Sequence, residues 1–211
     1  MHRVFLLTVW VAQVLLVKAQ YPGFNPITDP VKFKELFAVT SQKTLSIKSD
    51  FIQEKVLSML SEKIISRGKF FFKRDSRVRM EYNHPFQYLM IINKDKVYVK
   101  DGQKENKMST RSNKLFQQIN RIMVDCMQGS APGNTDFATK FFESKTVYLV
   151  ELTPVVKGLK DLFKVIAVYI DKKDYGVNSL EMQELSGDNT IIRFINKELN
   201  ATLPDALFDI K

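Results

Sequence analysis

The stretch that most constrains the fold runs from Gly68 to Ile92 and reads GKFFFKRDSRVRMEYNHPFQYLMII. Side chains on a strand alternate between the two faces of a sheet, so this pattern predicts three consecutive strands with turns at Asp75-Ser76 and Pro85. The last strand is apolar on both faces, which predicts contacts on both sides of it. The chain is therefore expected to build an antiparallel meander with a broad apolar surface.

Arg74 lies on the same face of the first predicted strand as Phe70 and Phe72. A guanidinium buried there without partners would cost several kcal/mol. We therefore expect Arg74 to donate hydrogen bonds to backbone carbonyls at a helix end or in a loop, at the edge of the apolar surface.

The N-terminal residues 1–19 are predicted to be a secretory signal peptide. Arg3 precedes an apolar run from Val4 to Val17, and Ala19 provides a small residue at the cleavage site. The run is short for a bilayer span, and no cysteine directly follows it that could be lipidated. We expect cleavage after Ala19 and export, which leaves residues 20–211 as a single domain.

Charge and cysteine content narrow the possible partners and stabilising features. Cleavage would remove Arg3 and Lys18 and lower the formal net charge from +9 to +7. A basic exported protein is expected to meet a membrane surface or an acidic protein, and not nucleic acid. Cys126 is the single cysteine, which excludes an intramolecular disulfide, and its apolar neighbours at helical spacing predict a buried side chain.

The rest of the chain predicts an α+β fold that is mainly antiparallel. Helical spacing indicates two amphipathic helices, over Pro30–Thr40 and Arg111–Met127, the second stopped by Gly129. Leu203–Ile210 is expected to form a short helical turn followed by an edge strand. Period-two patterns predict further strands from Thr44 onward and over Lys96–Lys100, Lys104–Lys107, Thr146–Leu152, Phe163–Ile170, Val177–Leu185 and Thr190–Asn196.

Motifs for catalysis are missing from the sequence. His84 is the only histidine of the mature chain, and no nucleophile elbow, HExxH, phosphate-binding glycine loop, EF-hand or CxxC is present. We therefore expect no enzyme activity, no cofactor and no metal site. Sheet and helices can either pack into an ordinary core or enclose a cavity for an apolar ligand, and the position of Arg74 favours the cavity.

Short landmarks along nearly the whole mature chain resemble the outer-membrane lipoprotein carrier (LolA) family. They are Phe51-Ile-Gln53-Glu-Lys55, Gly68-Lys-Phe-Phe-Phe-Lys73-Arg74, Arg79-Met-Glu-Tyr82, Pro85, Leu152-Thr153-Pro154, Gly187 with Asn189-Thr190, and Ala206-Leu-Phe208. The resemblance implies an incomplete antiparallel β-barrel closed by amphipathic helices. It also implies a carrier in the Gram-negative periplasm that takes acylated lipoproteins from an inner-membrane ABC transporter and passes them to the outer membrane.

The same resemblance assigns a role to Arg74, which corresponds to the arginine that tethers the family's helical lid in the closed form. Two positions depart from the family pattern: Asp75 replaces a proline, and Asn93-Lys94 replaces Asp-Gly. These departures fit either a divergent carrier or a paralogue that carries a different lipid. The family's outer-membrane receptor is itself a lipoprotein, so the lack of a cysteine after the apolar run favours the soluble carrier.

The carrier hypothesis names a set of ligand-binding residues and partners. The expected partners are acylated lipoproteins, the lipoprotein-releasing ABC transporter and an outer-membrane receptor, with the protein itself a monomer. A second hypothesis is a carrier or sensor of another lipid or apolar ligand in the cell envelope, and a third is an enzyme acting on envelope lipids or glycans through His84. The residues expected to line the cavity are Phe51, Phe70, Phe72, Val78, Met80, Tyr82, Met90, Ile119, Ile122 and Met123.

Overall fold

The computed structural model describes residues 21–60, 62–102, 104–109 and 114–210, with the backbone alone for 105–109 and 114–120. Within these residues there are three α-helices: α1 (Pro30–Gln42), α2 (Lys114–Gln128) and α3 (Lys157–Lys160). The strands are β1 (Asn25–Pro26), β2 (Ser46–Leu57), β3 (Glu62–Lys73), β4 (Arg77–His84), β5 (Tyr88–Asn93), β6 (Lys96–Asp101), β7 (Lys104–Ser109), β8 (Phe137–Glu143), β9 (Val147–Pro154), β10 (Phe163–Asp171), β11 (Val177–Glu184) and β12 (Asn189–Leu199).

All twelve strands belong to one antiparallel sheet with the order β1-β8-β9-β10-β11-β12-β2-β3-β4-β5-β6-β7. In the described residues β1 and β7 remain at its two edges, so the sheet does not close on itself. The prediction of a mainly antiparallel α+β fold with an incomplete barrel is therefore confirmed. No helix in the described part of the chain is long and apolar enough to cross a membrane.

The main core lies between one face of the sheet, called here the inner face, and the helices α1 and α2. Phe70 and Phe72 point to this face and are fully buried, as the alternation in β3 predicts. Phe71 points the other way. The ring of Phe70 packs against that of Phe194 on β12, with centroids 4.8 Å apart, so β3 and β12 share one apolar layer.

Helix α1 begins where the sequence predicts. The Asp29 carboxylate accepts a hydrogen bond from the backbone N–H of Lys32 at 2.9 Å, and Pro30 occupies the first turn. Phe33, Phe37 and Ser41 follow at steps of four residues and are the buried side chains of the helix. This stripe fixes which face of α1 meets the sheet.

The C-terminal segment packs on the outer face of the sheet. A second apolar cluster there joins Phe71, Ile91 and Tyr98 of the meander with Leu203 and Phe208 of this segment. Contacts on both faces of β5 are therefore confirmed, because Ile91 packs outward while Met90 and Ile92 belong to the main core.

The predicted C-terminal edge strand is wrong. Asp205–Phe208 forms a short 3₁₀ helix, and no strand follows it in residues 209–210. The carbonyls of this segment are bound by side chains of the sheet and not by a neighbouring strand. Their donors are Lys73 to Leu203 O at 2.9 Å, Arg79 to Leu207 O at 2.9 Å and Asn93 to Phe208 O at 3.1 Å.

The turn between β3 and β4 explains one departure from the family pattern. Asp75 and Ser76 have φ values of +68° and +58°. The ring of a proline fixes φ near −65°, so a proline could not adopt this turn, whereas aspartate tolerates the left-handed region comparatively well. The substitution at residue 75 thus accompanies a local change of turn and leaves the strand pairing intact.

Candidate functional site

A cavity of about 310 Å³ lies between the inner face of the sheet and α2. Four of its wall residues are methionines, from three strands and the helix. Methionine is flexible and polarisable, so such walls adapt to an apolar ligand of variable conformation. The lining residues are Gln53, Lys55, Met80, Tyr82, Tyr88, Met90, Met123, Leu162, Phe163, Met182, Glu184, Thr190 and Ile192.

One side of the cavity carries charged groups. The Lys55 ammonium lies 3.2 Å from a carboxylate oxygen of Glu184 and 4.0 Å from one of Asp188. The Thr190 hydroxyl donates to the same Glu184 oxygen at 3.3 Å. These groups come from the ends of β2, β11 and β12. The charged side of the cavity therefore lies at the end of the sheet where those strands meet their turns.

Tyr82 lies between the charged side of the cavity and its apolar wall. Its hydroxyl donates to the Gln53 side-chain oxygen at 2.9 Å, and its ring packs edge-on against Phe51 and Tyr88. Burial raises the pKa of Tyr82 above its ordinary value, with a smaller contribution from Tyr88. The phenol therefore stays protonated and remains a hydrogen-bond donor at physiological pH.

The structure separates the ten predicted cavity residues into groups. Met80, Tyr82, Met90 and Met123 line the cavity. The side chain of Ile119 lies outside the described residues. The other five pack in the main core without reaching the cavity: Phe51, Phe70, Phe72, Val78 and Ile122.

Several lining residues are absent from the predicted set, although the sequence contains a signal for some of them. Leu180 and Met182 alternate with outward residues on β11, as Thr190 and Ile192 do on β12. The same period-two reasoning that places Phe70 would have placed Met182 on the inner face. Leu162, by contrast, lies between α3 and β10, where no periodic pattern marks it.

Arg74 binds the C-terminal end of α1. Its Nε donates to Thr44 O at 3.1 Å, its Nη2 donates to Ser41 O, and its backbone N–H donates to Leu45 O at 2.9 Å. The last carbonyls of a helix lack partners within the helix and carry partial negative charge, so they suit a cation. The expected kind of acceptor is therefore present, and the helix that provides it is α1.

Gly129 connects the end of α2 to the same point. It has φ of +78°, and a Cβ at this position would lie 2.5 Å from both Cβ and Oγ of Ser41. Only glycine allows the end of α2 to approach the last turn of α1 this closely. Ser41 therefore both accepts a hydrogen bond from Arg74 and contacts the end of α2 at Gly129.

Other parts of the described structure are less suited to bind an apolar ligand or to carry out chemistry. A surface depression of about 580 Å³ between the two long helices is larger than the cavity, but its walls include Lys34, Arg121 and Asp125 and do not suit an apolar ligand. Burial raises the pKa of the Cys126 thiol, which keeps it protonated and unreactive. In the described residues no group of His, Cys, Asp and Glu could hold a metal ion.

A family model described as outer membrane lipoprotein carrier protein LolA matches residues 42–211. This chain belongs to the LolA family. Membership places it among carriers that bind lipoproteins or lipids, and members of the LolA family are periplasmic binding proteins and not enzymes. The matched range includes the cavity walls, Arg74 and most of its partner residues.

Several solved structures are similar to this chain at low sequence identity. A LolA superfamily protein from Nitrosomonas europaea is 11% identical, with 84% of this chain and 97% of that chain covered and a TM-score of 0.45. MucB in the Pseudomonas aeruginosa MucA/MucB complex is 10% identical, with 85% and 60% covered and a TM-score of 0.51. A DUF1329 family protein from Desulfovibrio piger is 14% identical, with 86% and 98% covered and a TM-score of 0.49. No curated protein sequence matches the chain.

Proposed function

We propose that this protein is a periplasmic carrier that holds the acyl chains of lipoproteins in the methionine-lined cavity and delivers them to the outer membrane. The observation that carries the proposal is the apolar cavity between the sheet and α2. Arg74 binds the end of α1 at the opposite end of the sheet from the cavity mouth. In this proposal residues 1–19 direct export, residues 20–211 form the carrier domain, and an ABC transporter and an outer-membrane receptor are its partners.

The size of the cavity indicates that loading requires movement. Sites for small molecules commonly measure about 300–1,000 Å³, so 310 Å³ is at the low end. A lipoprotein carries more than one acyl chain, and α1 and α2 must therefore move away from the sheet to admit them. The bonds of Arg74 to Ser41 and Thr44 oppose that movement and stabilise the closed form.

The same small volume favours a second candidate, a carrier of a single-chain lipid or another apolar ligand. Such a ligand would fit with little opening of the helices. Mass spectrometry of organic extracts from protein purified from the periplasm distinguishes the two candidates. Co-purified diacylated or triacylated protein supports the lipoprotein carrier, and a free lipid supports the second candidate.

Replacing Met123 by glutamine is expected to weaken binding of a fluorescent fatty acid about tenfold, because an amide in the cavity wall must lose its hydration when an acyl chain enters. The matched control is Met127→Gln, one turn further along α2. Met127 is buried to a similar extent, 5% exposed against 4% for Met123, but it does not line the cavity.

Both variants should lose about 1–3 kcal/mol of unfolding free energy, since each buries an amide. Only Met123→Gln should lose binding when the two are compared in buffer where both are folded. Equal binding by the two variants would show that the cavity is not where acyl chains bind.

A further inference from the structure

Six exposed apolar side chains mark one end of the sheet, and we call them the apolar rim. They lie on separate turns at the end of the sheet where β2, β4, β9 and β11 finish. Met59 is 93% exposed and Leu60 is 64% exposed, so neither side chain packs against the sheet. The apolar rim consists of Met59, Leu60, Phe86, Val155, Val156 and Leu185.

The apolar rim lies at the same end of the sheet as the charged side of the cavity. Phe86 lies between the cavity residues Tyr82 and Tyr88, and Leu185 directly follows Glu184. The turns are also tied to one another: the Ser58 N–H donates to an Asp188 carboxylate oxygen at 2.9 Å, and the Leu185 N–H donates to Leu162 O at 2.9 Å. The turns that carry Met59, Leu60 and Leu185 are therefore tied to neighbouring parts of the chain.

Free lysines accompany the apolar rim. Lys157, Lys160 and Lys164 follow Val155 and Val156 along the chain, are exposed, and form no ion pair with the described residues. Asp161 is the single acidic residue in residues 155–164. Exposed apolar side chains next to unpaired lysines are typical of surfaces that bind anionic membranes.

We propose that the apolar rim docks on an anionic phospholipid bilayer and brings the cavity mouth against the membrane surface. The apolar side chains lie on four separate turns at this end of the sheet. A bilayer needs no complementary shape, because each turn enters the headgroup region independently while the lysines meet lipid phosphates. This interaction goes beyond carriage in solution, since the protein would contact the lipid phase itself.

Flotation of the full chain with vesicles tests the proposal. The protein should float with vesicles of phosphatidylcholine and phosphatidylglycerol and should float less as salt is raised. Met59→Ser with Leu60→Ser is expected to weaken the partition about tenfold, because two apolar side chains no longer enter the bilayer. The matched control is Leu45→Ser with Ile195→Ser, two exposed apolar residues at the opposite end of the sheet, which should bind like the wild type.

The electrostatic part is tested separately. Lys157→Gln with Lys160→Gln should weaken partition to anionic vesicles about tenfold and remove most of its dependence on phosphatidylglycerol. The control for charge is Lys145→Gln with Lys173→Gln, two exposed lysines at the other end of the sheet. Equal loss in both lysine pairs would overturn the assignment of the docking surface to this end.

The outcomes separate this inference from the proposed carrier function. All variants keep the cavity intact, so binding of the fluorescent fatty acid in solution should be unchanged. Absence of flotation by the wild type would overturn membrane docking and leave the carrier proposal standing. Equal flotation by Met59→Ser with Leu60→Ser and by its control would do the same. If Met59→Ser with Leu60→Ser floats normally but fails to transfer lipoprotein to a protein acceptor, the apolar rim is a protein-docking surface. That result would also overturn membrane docking.

Discussion

Replacing Arg74 by leucine is expected to leave lipoprotein loading intact and to slow its release about tenfold or more. The guanidinium donates two side-chain hydrogen bonds to carbonyls at the end of α1, and bonds of this kind contribute on the order of 1.5–3 kcal/mol each. Partial exposure reduces that value, but a loss of about 1.4 kcal/mol already changes the balance of open and closed forms tenfold. Without these bonds, closing of α1 no longer competes with the bound acyl chains, and the loaded, open form accumulates.

A transfer assay with purified protein, loaded lipoprotein and an acceptor membrane measures this effect. Arg74→Lys should restore part of the transfer, because lysine keeps the positive charge but lacks the planar guanidinium that donates to two carbonyls at once. Arg79→Leu is the matched control on β4: the Arg79 guanidinium donates to Leu207 O of the C-terminal segment at 2.9 Å, on the outer face. Normal transfer by Arg74→Leu would exclude the tether, and loss of folding in place of loss of transfer would make Arg74 a structural partner only.

The role of Arg74 shows which part of the site can be predicted from sequence. Alternation places the guanidinium beside Phe70 and Phe72, and the cost of burying it unpaired demands carbonyl acceptors. Neither argument specifies the helix, because Ser41 and Thr44 are 33 and 30 residues away and reach Arg74 only through the folding of α1 onto the sheet.

Residues that line the cavity and residues of the main core lie on the same face of the sheet. Alternation along a strand predicts that face, but not which of its residues reach the cavity. Phe72 and Met80 both point inward and are both essentially fully buried, yet only Met80 reaches the cavity. The difference comes from where α1 and α2 lie over the sheet. The positions of these helices depend on long-range packing, such as the close approach of Gly129 to Ser41, which the local sequence does not reveal.

Strand β4 is predictable from its clean alternation of polar and apolar residues. Strands β3 and β10 are predictable from their aromatic and β-branched apolar runs, FFF and VIAVYI. Strand β8, with the sequence FATKFFE, has neither clean alternation nor a long apolar run, and the sequence does not predict it. The two-residue β1 is too short for any periodic signal, and it exists because it pairs with the end of β8. The local sequence of the C-terminal segment predicts an edge strand, but it cannot show that donors from distant parts of the chain, such as Lys73 and Arg79, bind its carbonyls instead of a neighbouring strand.

The close packing of β3 against β4 depends on a single glycine. Gly68 lies in register between Phe51 on β2 and Tyr82 on β4, next to a shift in the pairing of β3 with β4. The rings of Phe51 and Tyr82 meet across it with centroids 4.9 Å apart. A side chain at this position would enter the space that these rings and the backbone of β4 share.

Replacing Gly68 by alanine is therefore expected to lower the unfolding free energy by about 3–5 kcal/mol. The added Cβ would lie 1.8 Å from Glu81 O and 2.9 Å from Cε1 of Phe51. The carbonyl belongs to the backbone of a paired strand, so it can move away only if the pairing of β3 with β4 is disturbed. Urea denaturation followed by circular dichroism measures the loss as a lower midpoint.

Gly158→Ala is the matched control, because no heavy atom lies within 4 Å of the Cβ it would add and the residue belongs to the short helix α3. It should change stability by less than about 0.5 kcal/mol. If Gly68→Ala and Gly158→Ala unfold at the same urea concentration, β3 and β4 do not approach as closely as described. If Gly68→Ala instead fails to accumulate as soluble protein while Gly158→Ala is normal, the close approach is a condition for folding, and the contact of Phe51 with Tyr82 beside the cavity depends on that glycine.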